Sequence, residues 1–262
     1  MRGRPQVLYG RHAVRESLRA GRRKPYRLVL AEDVRQTDIV GQIVFLAKQA
    51  GVEVDRAERR NLDRIGNVNH QGVALEVSEY PYSALDDILS VVQSRQHRRG
   101  TDTAGDDVPL LLLLDLLQDP QNVGSLLRTA EAVGVHGVVI QRRRAVGITP
   151  AVVHASAGAV EHLKIAQVTN LVNAIGQVKE HDVWVAGLEA VRGVQRYDQA
   201  DLSGPLALVV GSEGGGLRRL VRERCDFLLQ LPMLGQVTSL NVAVAGSVVL
   251  YEALRQRQMN EH

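Results

Sequence analysis

The sequence predicts an α/β protein in two parts, a small N-terminal α/β unit and a larger C-terminal unit built on a parallel sheet. Three observations carry this expectation. Apolar runs of strand length alternate with stretches of helical periodicity, the pattern of strands covered by helices on both faces. The leucine-rich run at 110–115 is nearly continuous, as in a strand buried on both sides. Between the parts, "QSRQHRRGTDTAGDDVP" at 93–109 is polar, charged and almost without apolar anchors. The expected division is a first domain at 1–80, a flexible linker at 81–109 and a second domain at 110–262.

In the first part, Ala13, Val14, Leu18 and Ala20 fall on one helical face, and Gly21 stands where a C-terminal cap belongs. A strand at 27–31, a helix from Asp38 to Ala50 ended by Gly51, and strands at 52–54 and 72–77 complete the unit. In the second part, strands are expected at 110–115, 137–141, 183–188, 206–211 and 227–231. Helices are expected at 122–134, ended by Gly134, then near 149–160, 170–181 and 215–224, with a long closing helix from about Leu240 to Gln258. There is no internal repeat.

Composition narrows the function. With 262 residues and 45% hydrophobic content, the chain is long enough for one good-sized core and a second smaller one. No apolar stretch approaches the roughly 20 residues that span a bilayer, and the basic N-terminus lacks an apolar leader segment. A cytoplasmic location is the expectation. The single cysteine, Cys225, has no disulfide partner within the chain and reads as a buried, inert thiol, and no metal site is expected. The net charge of +3 is modest but unevenly spread. Residues 1–31 carry Arg2, Arg4, Arg11, Arg15, Arg19, Arg22, Arg23, Lys24 and Arg27 against one acid, Glu16. Guanidinium forks suit phosphate contacts, although a solvated arginine-rich face has the same composition. Aromatic residues make up 3% of the chain, which disfavours a base-stacking platform.

After the strand at 206–211 comes Gly211-Ser212-Glu213-Gly214-Gly215-Gly216. Its spacing and its late position do not fit the dinucleotide-binding fingerprint, and Leu217-Arg218 replaces the Lys-Ser/Thr of a phosphate-binding loop. Glu213 would repel a pyrophosphate, so the ligand expected here is neutral or cationic, such as a nucleoside bearing a sulfonium. A purely structural turn is the alternative.

Two further stretches accompany this loop. "LQDPQNVGSLLRTAEAVG" at 117–134 puts Asn122 near a helix start and Arg128 six residues on. "LPMLGQVTSLNVAVAGSVVLYEALRQR" at 231–257 puts Ser239 and Asn241 at the mouth of a helix whose first turns carry Ala243, Ala245, Gly246 and Ser247. Taken singly, each polar residue is better explained as a helix cap. Taken together, N-x-G-x-x-x-R, G-S-E-G-x-G and L-P-M-x-G-x-x-x-S-L-N-V-x-V-A, in that order, resemble the three motifs of the SpoU (TrmH-like) family of RNA ribose methyltransferases, in the SPOUT superfamily. "YGRHAVRESL" at 9–18 and "NHQGVALEV" at 69–77 resemble that family's substrate-binding domain.

The resemblance implies a SPOUT methyltransferase domain at 110–262 with a deep C-terminal trefoil knot, an exception to the rule against knotted chains, and an RNA substrate-binding domain at 1–80. It implies S-adenosylmethionine as cofactor, held through Gly187, Leu188, Gly211, Glu213, Gly214, Leu231, Met233, Ser239, Leu240 and Asn241. It implies a homodimer formed through the first-motif and final helices, with Asn122, Arg128, Glu213, Ser239 and Asn241 as the catalytic set. The resemblance implies Arg128 as the base with Asn122 orienting it; a guanidinium stays protonated at neutral pH, so Arg128 is expected to bind the target phosphate and stabilise charge on the ribose 2′-oxygen, whether or not it also takes the proton. In relatives the residue before the motif asparagine is often histidine. Gln121 stands here, and no catalytic role is assigned to it. Arg11, His12, His70, Gln71, Arg142 and Arg143 are RNA-contact candidates, with a structural role the alternative for each histidine. The resemblance points to a guanosine in the P loop of large-subunit rRNA as target. A tRNA guanosine, or a non-catalytic role in ribosome assembly, are the competing readings.

Overall fold

Each strand expected in the C-terminal part is present in the computed structural model, which describes residues 5–98, 108–191 and 193–259. The first elements in chain order are β1 Gln6–Tyr9, α1 Arg11–Ala20, β2 Pro25–Ala31, α2 Asp38–Gln49, β3 Glu53–Ala57, α3 Arg59–Asp63, β4 Val73–Val77 and α4 Leu85–Arg98. Then come β5 Leu110–Leu114, α5 Pro120–Ala132, β6 Gly137–Gln141, α6 Pro150–Ala155, β7 Ile165–Val168 and α7 Leu171–Lys179. The chain continues with β8 Trp184–Leu188, β9 Gln195–Arg196, β10 Leu206–Val210, α8 Arg219–Arg224, β11 Phe227–Gln230 and α9 Val242–Met259. Among the described residues no helix is long and apolar enough to cross a membrane.

Two compact units result, one of residues 1–81 with 148–162 and one of residues 82–147 with 163–262. The first holds a four-stranded sheet in the order β1-β4-β2-β3. Leu8, Leu28, Leu30 and Leu75 of the strands, Val14 of α1 and Val40 and Ile43 of α2 are all fully buried. Gly21 ends α1 as expected, at φ 63°, with its N–H donating to the Ser17 carbonyl at 3.3 Å.

The first unit exceeds the expected domain by the segment 148–162, which carries α6 and a 3-10 turn at Ala159–His162. Residues far apart in sequence seat it. The Arg23 guanidinium meets the Glu161 carboxylate at 3.0 Å (Nε to Oε2) and 2.9 Å (Nη2 to Oε1), with both side chains 0% exposed. The Tyr80 hydroxyl donates to the Val160 carbonyl at 3.1 Å. His154 packs on the Tyr9 ring, centroids 4.9 Å apart, and its Nδ1 lies 3.2 Å from the Tyr9 carbonyl, so that nitrogen is the donor. Gly10 makes this approach possible: at φ 87° it takes the left-handed region, and a Cβ there would lie 2.7 Å from the His154 ring.

The second unit has an entirely parallel seven-stranded sheet in the order β7-β6-β5-β10-β8-β11-β9. Both faces of β5, β6 and β10 are buried, as the apolar runs predict. An ordinary doubly wound sheet adds its fourth strand beside the first and its fifth outside that. Here β10, the later strand, sits between β5 and β8, an order compatible with a threaded C-terminal region. Arg257 ties the end of α9 to the entrance of β5, donating to the Val108 and Pro109 carbonyls at 2.8 and 3.0 Å.

Three expectations are corrected. Residues 85–98 of the expected linker form α4, whose Ile88, Leu89 and Val92 are buried in the core. The spacing of these side chains is helical, and each contributes roughly 2 kcal/mol by burial. Gly137 lets the helix lie against β6, since a Cβ there would be 2.3 Å from Ile88 Cγ2. Residues 99–107 of the linker lie outside the described residues. The helix expected at 215–224 starts only at Arg219, because 211–218 is taken up by a turn. Finally β1, α3, β7 and β9 occur where no element was expected.

Candidate active site

The first and third motifs meet where α5 and α9 begin, and α9 packs along the end of β10, from which the second motif issues. Helix α5 is started by Asp119, whose carboxylate accepts the N–H groups of Gln121 and Asn122, both at 3.2 Å, with Pro120 in the first turn. Asn122 is therefore not the cap. Its Oδ1 accepts from Asn241 Nδ2 at 2.8 Å. Asn241 in turn caps α9, its Oδ1 accepting from Ala243 N at 2.9 Å and Val244 N at 3.3 Å. One side chain thus starts the final helix and joins it to the first motif. Thr129 and Ser247 hydroxyls meet at 2.8 Å further along the same two helices. A Cβ on Gly246 would lie 2.9 Å from Leu126 Cδ1, so the small residues of α9 serve first to let it pack on α5.

Arg128 projects from α5, exposed, and makes no hydrogen bond or ion pair among the described residues. Beside it, Ser125 and Thr129 border an open groove of about 700 Å³ whose other wall is Asn241, Val244, Val248 and Tyr251 of α9. Ser239 and Leu240 are exposed in the irregular stretch 231–241, which also holds the half-buried Leu231 and Met233 and an almost fully exposed Leu234.

The glycine loop is a closed turn: Ser212 and Gly216 exchange backbone hydrogen bonds at 3.1 and 3.0 Å. Gly211 is buried under it, where a Cβ would lie 2.3 Å from the Gly216 carbonyl carbon. Gly214 and Gly216 have φ of 73° and 60°, which favours glycine at both. Glu213, Gly214 and Gly215 form the exposed tip. Two acids that the motifs do not include hold the residues that follow it. Asp115, directly after β5, accepts from Arg218 N at 2.9 Å, Nε at 2.8 Å and Nη2 at 2.7 Å. Glu189, directly after β8, accepts from Leu217 N at 2.8 Å. Their only signal in the sequence is an acid following a buried strand.

This arrangement fits a nucleoside sulfonium. The tip offers backbone with open space around Gly214, and Glu213 and Glu189, which meet no cation among the described residues, are negative side chains in and beside the turn. Gly187 lies within β8, where a Cβ would meet Leu217, Leu228 and Cys225 at 2.7–2.9 Å, so its smallness seats the residues that follow the turn. Burial pushes the Cys225 thiol up to about 12, in keeping with an inert packing role. Among the described residues no cluster of His, Cys, Asp and Glu has the makings of a metal site.

Among the RNA-contact candidates, Arg11 and Gln71 are brought together: Gln71 Oε1 accepts from Arg11 N at 3.0 Å and the Gln71 carbonyl from Arg11 Nε at 3.3 Å. His12 is exposed beside them in sequence. His70 is different, being 4% exposed. Gly72 N–H donates to its Nδ1 at 3.0 Å, so Nε2 carries the proton that points to Asp63 at 2.9 Å. Both nitrogens hold the turn before β4, and the RNA-contact expectation for His70 is replaced by this structural role. Arg142 and Arg143 are exposed in the loop after β6.

Comparison with known proteins agrees with this geometry. Residues 109–251 match the model of the SpoU rRNA methylase family, and residues 7–83 match that of the RNA 2′-O ribose methyltransferase substrate-binding domain. YacO of Bacillus subtilis, named for the TrmH family of tRNA/rRNA methyltransferases, is 44% identical over 250 residues, 95% of this chain and 94% of its own. The SpoU methyltransferase AviRb from Streptomyces viridochromogenes shares the fold at a TM-score of 0.77 and 22% identity, covering 98% of this chain and 91% of its own. An AdoMet-bound rRNA methyltransferase from Sinorhizobium meliloti aligns at a TM-score of 0.73 and 25% identity, over 96% of this chain and 87% of its own. Motifs, fold and both family matches agree: the chain belongs to the SpoU (TrmH) family of S-adenosylmethionine-dependent RNA 2′-O-ribose methyltransferases.

Proposed function

We propose that this enzyme methylates the ribose 2′-OH of a guanosine in the P loop of large-subunit rRNA, in the cytoplasm. The observation that carries the site assignment is the 2.8 Å bond between Asn122 and Asn241, which fastens the first motif to the third on the helix that presents Arg128. For rRNA over tRNA, the support is the alignment of the Sinorhizobium meliloti rRNA methyltransferase along 96% of this chain.

Gly211, Glu213 and Gly214 of the turn, Leu231, Met233, Ser239, Leu240 and Asn241 of the third motif, and Gly187 and Leu188 at the end of β8 would hold S-adenosylmethionine. It supplies a methyl group on a positively charged sulfur. Arg128, exposed and without a partner among the described residues, binds the target phosphate and stabilises negative charge on the 2′-oxygen as its proton leaves. Asn122, Ser239 and Asn241 orient the hydroxyl by hydrogen bonds, and Glu213 is the carboxylate available to receive the proton. Holding the reactants in line supplies much of the rate. Arg11, His12, Gln71, Arg142 and Arg143 contact RNA. A second copy of the chain covers the groove between α5 and α9, whose Val244 and Tyr251 are exposed apolar surface.

Arg128→Lys keeps the charge and loses the fork. The expected result is a turnover at least tenfold lower with donor affinity unchanged, measured by methyl incorporation and calorimetry. Wild-type turnover would remove Arg128 from the assignment. Ribose-methylation mapping of rRNA from a strain lacking the protein tests the target. Loss of the mark at one P-loop guanosine is expected, and an unchanged rRNA profile with a lost tRNA mark would move the substrate to tRNA.

A further inference from the structure

Strand β10, from which the glycine turn issues, lies between β5 and β8, and each neighbour ends in an acid. The two acids are not equivalent. Asp115 is spent on Arg218, bonding its backbone N–H and the Nε and Nη2 of its guanidinium. Glu189 is 9% exposed and meets no cation among the described residues. Its Oε1 takes the Leu217 N–H, while Oε2 finds no donor there. Gly216 is what brings this carboxylate against the turn: at φ 60° it disfavours any side chain, and a Cβ would stand 3.0 Å from Glu189 Oε2. A carboxylate with one hydrogen bond to the chain, no counter-charge among the described residues and its second oxygen against the turn complements a cation placed there.

We propose that Glu189 is the residue by which the turn reads the charge of its ligand, favouring the sulfonium donor over the neutral thioether left after methyl transfer. Through Leu217 it also positions the turn. The favourable charge contact exists before the reaction and is gone after it, so the same residue that helps hold the donor eases departure of the product. This rests on residues 211–216 being the donor-binding turn.

The test uses the full chain and two ligands, S-adenosylmethionine and S-adenosylhomocysteine, with calorimetry for affinity and hydrogen exchange for the segment 211–218. Glu189→Gln keeps an oxygen acceptor for the Leu217 N–H and removes the charge. The expected result is an affinity for the donor weaker by on the order of tenfold, about 1.4 kcal/mol, with affinity for the product nearly unchanged and exchange at 217 as in the wild type. If Glu189→Gln does not fold, Glu189→Asp is compared with Glu189→Asn, equal in length and different in charge, and only the former should retain the wild-type ratio. A donor-to-product ratio unaffected by removing the charge overturns the proposal. If neither ligand protects 211–218 from exchange in the wild type, the turn is not the donor site, and the proposal falls together with that assignment.

Discussion

Asn122 and Asn241 share one hydrogen bond but differ in what else depends on them. Asn241 caps α9, so Asn241→Ala should cost about 1 kcal/mol of stability in addition to any loss of turnover. Asn122 caps nothing, since Asp119 starts α5. Asn122→Ala should therefore shift urea stability by less than about 0.5 kcal/mol while lowering turnover, and an equal stability loss in both variants would make Asn122 a structural residue. The sequence places Asn122 near the helix start because Asn is a good cap, but Asp119-Pro120 occupies that position with a better pairing of cap and first-turn residue. Cys225 was legible from its solitude alone. With its thiol raised to about 12, the thiolate fraction at pH 8 is far below that of a free cysteine. Alkylation by iodoacetamide should be slow in the folded protein and complete once it is unfolded, as mass spectrometry would read.

At the scale of elements, the glycine turn shows how much a motif conveys and where it stops. The run 211–216 announces a tight turn, and its unsuitability for phosphate follows from Glu213. It does not say which glycines are obligatory, because that depends on what lies opposite. A Cβ at Gly211 would lie 2.3 Å from the Gly216 backbone, whereas Gly214 has open space and only its φ of 73° to object to a side chain. Gly211→Ala should accordingly cost about 1–3 kcal/mol and weaken donor binding, and Gly214→Ala about 1 kcal/mol. Denaturant titration with calorimetry checks the order, and a larger loss at Gly214 would contradict it. The buried strands were legible because β5, β6 and β10 are apolar throughout. Helix α4 was obscured because its apolar positions Ile88, Leu89 and Val92 run straight into a charged stretch, and β9 pairs through Gln195 and Arg196, which carry no apolar signal at all.

For the whole molecule, the boundary of the first unit is the feature furthest from what sequence reading reaches. Nothing local marks 148–162 as part of a unit whose other residues end at 81; Arg23 and Glu161 are 138 positions apart, and one arginine of the run Arg22-Arg23-Lys24 reads as surface. Their pairing has an energetic consequence. Burial raises the Glu161 carboxyl above the usual range even with Arg23 beside it, so desolvation outweighs the attraction and the pair contributes little net stability. Removing one partner is another matter, because the other is left buried without its counter-charge. Among the described residues Arg23 retains Gln6 Oε1 at 2.7 Å and the Ser78 carbonyl at 3.4 Å as further acceptors. Arg23→Met and Glu161→Met should each destabilise the protein by about 3–5 kcal/mol, and the double variant by clearly less than either alone. Urea unfolding of the four proteins of this cycle gives the coupling. Additive losses would mean that the two side chains do not depend on one another, and that the segment 148–162 is held to the first unit chiefly by its apolar contacts and by Tyr9 and Tyr80.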